Sequence, residues 1–232
     1  MTLSPDECVI WQWGPLTVNA TLVNTWLVML ILVLGAHGIT RRLRDEGPLS
    51  RWQNFLEILV VGLCDQIHST SRQPPGKYLG FIGTLFLFIA TANLLGVIPG
   101  FAPPTGSLST TVALALAVLA AVPVYGIAQR GPRAYFADYL KPSVFMLPMN
   151  ILGELSRTVA LAMRLYGNVM SGGLVGAILL LVTPFFLPIP LQLLGLVTAL
   201  VQAYIFAILA MVFIASAQDD PPNNHHPGDR HE

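Results

Sequence analysis

The stretch from Met149 to Thr183, MNILGELSRTVALAMRLYGNVMSGGLVGAILLLVT, carries Glu154, Arg157 and Arg164 in its first half and no charge after that. As a helix it would extend about 52 Å at 1.5 Å per residue, well past the roughly 30 Å of bilayer hydrocarbon. Pro148 and Pro184 bound it. A second such stretch, Leu191 to Gln218, would reach about 42 Å. Neither fits an upright span, so both are expected to be tilted steeply, bent or partly interfacial. Gly167, Gly172, Gly173 and Gly176 are the expected flexing points of the first, because none has a side chain to constrain it.

Outward from these two segments the same segregation continues. Only 10% of the 232 residues are charged, against roughly 25% in a soluble chain. Cys8 to Thr40, Tyr78 to Gln129 and Leu165 to Gln218 contain no Asp, Glu, Lys or Arg. This excludes an ordinary soluble globule. Net charge is zero, so there is no basic field to collect nucleic acid and no acidic field to collect cations. The N-terminal MTLSPDECVI has Asp6 and Glu7 where a secretory signal needs basic residues, and no cleaved signal is read there. Cys8 and Cys64 are expected on opposite membrane faces, without a disulfide framework.

Residues 21–39 form the first expected span, followed by Arg41, Arg42, Arg44 and Arg51. By the positive-inside rule that cluster is cytoplasmic, which puts residues 1–20 outside. In residues 49–70, Trp52, Phe55, Leu56, Leu59, Val60 and Leu63 recur at helical spacing, with Asn54, Glu57, Asp65 and Gln66 on other faces. That pattern predicts an amphipathic helix along the cytoplasmic interface. SRQPPGK then breaks the chain; 78–98 crosses outward, PGFAPPTG turns, and 109–129 returns, interrupted by Pro123. Arg130, Arg133 and Lys141 again fall inside. The two long segments, 149–183 and 191–218, complete one membrane domain over 1–218, and the polar 219–232 is expected to be a disordered cytoplasmic tail. The expected fold is thus an all-α integral membrane protein with about five embedded helices plus the interfacial one.

Arg164 breaks the apolar pattern. An arginine at membrane depth costs roughly a few to more than ten kcal/mol, and its pKa leaves no escape by deprotonation. Helical steps from it reach Asn150, Glu154, Arg157, Leu161, Asn168 and Ser171 on one face. Arg157 has Glu154 three residues away and reads as its ion-pair partner near the cytoplasmic end. Arg164 has no acid at i±3 or i±4, so its counter-charge is expected from another chain.

The run GELSRTVALAMRLYGNVMSGG, Gly153 to Gly173, resembles the helix of F-type ATP synthase subunit a that carries the essential arginine in an R-L-x-G-N setting. NLLGVIPG from Asn93 with the following PPTGSLSTTVALAL, and QAYIFAILAMVFI from Gln202, resemble two further blocks of that family. In order and spacing the resemblance covers about Leu49 to Gln218. It implies a non-catalytic stator subunit beside a ring of c subunits, with peripheral-stalk b subunits and the rest of the complex as partners, in a bacterial or archaeal plasma (inner) membrane. It implies two aqueous half-channels passing H⁺ or Na⁺ to the ring carboxylates, with Arg164 as the coupling charge and Asn168 and Gln202 as amides beside it. Asn93, Ser107, Ser109 and Thr110 are candidates for the outer vestibule, the serines equally for helix capping. Glu154 has two readings, a place in the cytoplasmic half-channel or only the pairing with Arg157.

The chain departs from the family pattern at Gly173 and Gly195, nine residues after Arg164 and seven before Gln202, where many members carry an ionisable group. The outer path must then run through water and neutral groups, or the ion is Na⁺; the glycine-rich form and compact termini resemble the N-type branch of the family, some members of which are thought to move Na⁺. No cofactor is implied. His225, His226 and His231 read as a solvated tail rather than a metal site, and His37 and His68 as groups at helix ends. No phosphate loop or nucleophile–base pair occurs, so nucleotide chemistry belongs to other subunits. The rival reading, a self-contained anion transporter, lacks the internal repeat it would need.

Overall fold

The computed structural model describes residues 9–13, 16–41, 51–71, 76–98, 101–131, 146–182 and 188–217. The expected tail, the Arg42–Arg44 cluster and Arg133 and Lys141 lie outside them. A short antiparallel hairpin, β1 (Val9–Trp13) and β2 (Leu16–Asn19), precedes the helices. β-branched and aromatic residues flanking Gly14-Pro15 are an ordinary hairpin signal.

Six helices follow: α1 (Ala20–Thr40), α2 (Arg51–Ser71), α3 (Gly76–Leu95), α4 (Leu108–Arg130), α5 (Met146–Val182) and α6 (Pro188–Ser216). All but α2 are long and apolar enough to cross a membrane. α1 is hydrophobic on all sides and, among its described side chains, buries only Thr21 and Val28, an arrangement that suits a helix bathed in lipid. Asn24 Nδ2 ties it to the carbonyl of Ala102 at 2.9 Å.

Two expectations about proline are corrected. α4 passes through Pro123 without a break, and α5 begins at Met146, ahead of Pro148. Pro148 falls in a first turn, where the backbone N–H groups have no intrahelical acceptor in any case. Pro188 and Pro190 occupy the first turn of α6 for the same reason. A proline inside a membrane helix forfeits one hydrogen bond, and the surrounding helices hold the turn together. α5 likewise stays helical through Gly167, Gly172, Gly173 and Gly176.

The core is a wedge made by α3, α4, α5 and α6, with α2 crossing one end. α3 buries Tyr78, Ile82, Leu85, Ile89 and Ala92 at steps of three and four, and α6 buries Ala203, Phe206, Ala207, Ala210, Met211 and Ile214. Alanines at i, i+4 and i+7 keep α6 slim on one side, which lets a neighbouring backbone come close where lipid offers no hydrophobic drive. Leu161, Ala162 and Leu165 of α5 and Ala115, Val118 and Val122 of α4 complete the wedge. At the α2 end, Tyr78 donates to Gln129 Oε1 at 3.2 Å and its ring lies 5.4 Å from that of Tyr125.

The loop between α3 and α4 folds back into the bundle. Residues Pro104 to Gly106 form a single 3₁₀ turn, and Thr105 and Ser107 are fully buried. A side chain at Gly96 would come within 3.1 Å of the Asn93 carbonyl and 3.2 Å of Pro103, so the close return of the loop onto the end of α3 depends on that glycine.

Candidate functional site

Ridges on α5 explain where the polar stripe goes. Thr158, Leu161, Ala162 and Leu165 face the wedge and are buried. The stripe runs along the border of that face: Glu154 and Asn168 are half-buried, while Asn150, Arg157, Arg164 and Ser171 are exposed. Arg164 stands beside fully buried Leu165 yet makes no hydrogen bond or ion pair with the described residues.

The level of each residue follows from one contact. Asn168 Nδ2 donates to the Thr198 carbonyl on α6 at 3.5 Å, a long bond that sets the antiparallel pair in register. Arg164 lies four residues before Asn168 and Gln202 four after Thr198, so both lie about 6 Å from that bond toward the same end. Arg164 and Gln202 therefore share one level of the bundle. Gln202 is 7% exposed, and its Nε2 is buried without a partner. A buried amide donor left unpaired is costly, and a water or a moving polar group at this level would satisfy it.

Asn93 is not open in the same way. Its Nδ2 donates to the Ala199 carbonyl at 3.2 Å and its Oδ1 accepts from Thr105 Oγ1 at 2.6 Å, with Asn93 6% exposed. Asn93 from α3 and Asn168 from α5 thus grip consecutive carbonyls of α6, one turn before Gln202. Ser107 is the residue before α4 but its side chain does not cap the helix; its Oγ lies 2.6 Å from Ser109 Oγ. Gln192 Nε2 donates to the Val97 carbonyl at 3.1 Å, a tie between α6 and the turn after α3.

On the other side of Arg164, toward Met146 and Ser216, a crevice opens between α4, α5 and α6. Glu154, Arg157, Thr158, Phe213 and Ser216 line it with apolar α4 side chains, and its cavity volume of ≈ 20 Å³ holds about one water. The Arg157 guanidinium lies over the Phe213 ring, Cζ 5.8 Å from the centroid. Tyr204 donates to Gln66 Oε1 at 2.9 Å and couples α6 to α2. Phe213, Thr158, Ser216, Thr105 and the Tyr204–Gln66 pair carried no signal in the sequence, because each takes its meaning from a partner on another helix.

Gly173 and Gly195 lie beyond the Asn168–Thr198 bond, on the opposite side from the crevice. A Cβ at either would meet nothing within 4 Å. Both positions are open and side-chain-free in the chain. Among the described residues no three His, Cys, Asp or Glu side chains gather as a metal site; His225, His226 and His231 lie outside them.

This arrangement of a lone arginine, two amides and a crevice coincides with a family match. The sequence model described as ATP synthase A chain matches residues 22–215. The chain belongs to that family. It is 56% identical over 225 residues to "ATP synthase subunit a 2" of Acaryochloris marina, covering 97% of this chain and 96% of that one. It is 54% identical over 231 residues to "ATP synthase subunit a" of Albidiferax ferrireducens, with both chains fully covered. It is also 57% identical over 217 residues to "ATP synthase subunit a 1" of Chlorobaculum parvum, covering 94% and 96% of the two. Arg164 begins the run Arg-Leu-Tyr-Gly-Asn, and the Asn168–Thr198 bond sets it level with Gln202.

Proposed function

We propose that this chain is the stator subunit a of an F-type ATP synthase complex and passes H⁺ or Na⁺ between two half-channels and the carboxylates of a c ring, with Arg164 as the coupling charge. One observation carries the proposal. Arg164 is exposed on a membrane-length helix, and no acid among the described residues neutralises it. A guanidinium at membrane depth is costly, and a neutralising group on a partner chain would offset that cost. A ring carboxylate fits: facing lipid it must be protonated or hold a cation, and facing Arg164 it is stabilised empty and releases its ion. The same fixed charge repels cations that would leak directly from one half-channel to the other.

Arg164 has Gln202 at its level and Asn168 one turn away, two neutral amides that orient water or the guanidinium without adding charge. Glu154 and the crevice serve the inner path, and the open surface around Gly173 and Gly195 the outer one. The N-terminal hairpin lies outside, and α2 and the C-terminus of α6 at the cytoplasmic face of the plasma membrane, the side from which a cysteine introduced at Asp219 would be labelled. The c ring, the b subunits and the remaining complex are the partners, and nucleotide chemistry occurs on the soluble head.

The test is Arg164→Ala in the assembled complex. ATP-driven pumping should vanish while the detached head still hydrolyses ATP. Arg164→Lys should fail too, because a point-like ammonium lacks the planar multi-donor reach of guanidinium. Normal coupled pumping in either variant refutes the assignment.

A further inference from the structure

Two buried polar residues on different helices share the level of Arg164. On α4, Thr111, Ala115, Val118 and Val122 recur at steps of four and three and are all buried, Thr111 fully. On α6, Gln202 shares a face with Phe206, Phe213 and Ser216 by the same steps. Val118, Val122, Phe213 and Ser216 line one crevice, so the two faces meet along a single seam. Val118 and Arg157 line that crevice too, from antiparallel helices. Seven residues back along α4 and seven forward along α5 lead to Thr111 and Arg164, each about 10 Å on. The helices stay side by side over that distance, because a Cβ at Gly106, just ahead of α4, would lie 3.4 Å from Val169 Cγ1. The Asn168–Thr198 bond brings Gln202 to the same level.

The hydrogen-bonding capacities at this level are complementary. Thr111 Oγ1 donates to the Leu108 carbonyl at 3.0 Å. A hydroxyl has a single proton, so what Thr111 has left is an acceptor. Arg164 is the reverse, with five N–H donors and no acceptor. Gln202 carries both kinds of group, and its Nε2 is buried without a partner. Ala115, Leu165 and Phe206, the buried neighbours along the seam, are apolar. Asn93, the buried amide a turn toward the outer loop, has its nitrogen on the Ala199 carbonyl and its oxygen on Thr105.

We propose that Thr111 is a positioning residue that sets which way the Gln202 amide faces: its oxygen takes the Gln202 NH₂ group and leaves the Gln202 carbonyl oxygen for the Arg164 guanidinium. The proposal rests on the reading of Arg164 as the coupling charge. A reversed amide would set donors against donors and oxygen against oxygen, and both contacts would be lost. Rotation of the Gln202 side chain, or one water accepting from Nε2 and donating to Thr111 Oγ1, joins the pair. An amide held in this sense steadies the guanidinium at its level without adding a second charge.

The experiment compares T111A and T111S, which differ by one oxygen atom, in vesicles carrying the assembled complex, and reads ATP-driven pumping per assembled complex. T111A should pump several-fold more slowly, and T111S should recover most of the rate. Equal rates in the two overturn the proposal, whether both are slow, as a packing role requires, or both match the unsubstituted complex. A second measurement asks whether the oxygen acts through Gln202. Methionine keeps the length of glutamine without its amide, so unfolding temperatures of the detergent-solubilised T111A, Q202M and T111A/Q202M complexes should show less than additive losses. Additive losses overturn the proposal. The underlying reading is tested apart from this, by Arg164→Ala: normal pumping there removes the coupling charge, whereas the difference between T111A and T111S reads the Thr111 oxygen itself.

Discussion

The α5–α6 pair has two unlike halves that meet at the Asn168–Thr198 bond. Toward Met146 and Ser216 it is part of a packed wedge, with Leu161, Leu165, Ala203, Phe206, Ala207 and Ala210 buried and Glu154 and Arg157 at its edge. Toward Val182 and Pro188 it is nearly bare: Gly172, Gly173, Leu174, Val175, Leu193, Leu194, Gly195 and Val197 are all exposed. One half fixes charges in a rigid setting; the other presents neutral surface and empty positions. The contrast teaches that control of charge in this chain is concentrated on one side of Arg164, and that the other side depends on water, lipid or a partner chain.

Arg164 is the boundary, and removing it should have the largest effect, complete loss of coupled pumping as described above. A smaller effect separates the halves themselves. Glu154→Gln keeps size and hydrogen bonding but deletes the carboxylate, and should slow passive flux several-fold with assembly preserved. In the bare half, Gln192→Leu removes an exposed polar side chain and should leave flux within about twofold, since its amide is committed to the Val97 carbonyl. Equal slowing in both variants would abolish the distinction between a charged inner path and a neutral outer one.

The third prediction concerns what holds the halves in register. Asn93→Leu leaves the Thr105 hydroxyl without its acceptor in a fully buried site and releases the Ala199 carbonyl. Loss of a buried partner costs about 1–3 kcal/mol. The expected outcome is a lower unfolding temperature of the detergent-solubilised complex, and Thr105→Val should show a similar decrease, with less than additive loss in the double variant. Additive losses would mean that the two side chains do not form one buried unit.

Much of this was legible in the sequence, for a definite reason. Lipid tolerates so few charges that the gaps from Cys8 to Thr40, Tyr78 to Gln129 and Leu165 to Gln218 mark a membrane protein, and among the described residues α1, α3, α4, α5 and α6 are long and apolar enough to cross a bilayer. Arg164 and Glu154 stood out because each violates the same rule. Pro123 and Pro148 misled because proline was read as a stop, whereas an apolar surrounding and a first-turn position both accommodate it. Phe213 and Thr105 were illegible for a different reason. An apolar ring on an apolar helix and a threonine in a proline-rich loop look ordinary until the chain folds back. Periodicity reports the face on which a residue lies, not its partner on another helix.

The smallest predicted effect bears on the bare half. Gly173 and Gly195 are exposed helical glycines, and a methyl group at either meets nothing within 4 Å in the isolated chain. Alanine reduces the conformational freedom lost on helix formation, by up to about 1 kcal/mol per site in water. If only lipid and water cover this surface, Gly173→Ala and Gly195→Ala should leave assembly intact and raise thermal stability slightly, with little change in pumping. A different outcome at one site would be informative. Should Gly195→Ala prevent ring attachment while Gly173→Ala does not, then α6 rather than α5 is approached closely by a partner backbone at that level, because only a near neighbour can exclude one methyl group. The bare half would then be bare only in the isolated chain, and the contrast between the halves would lie in which chain supplies the packing: this one on the Glu154 side, its partner on the glycine side.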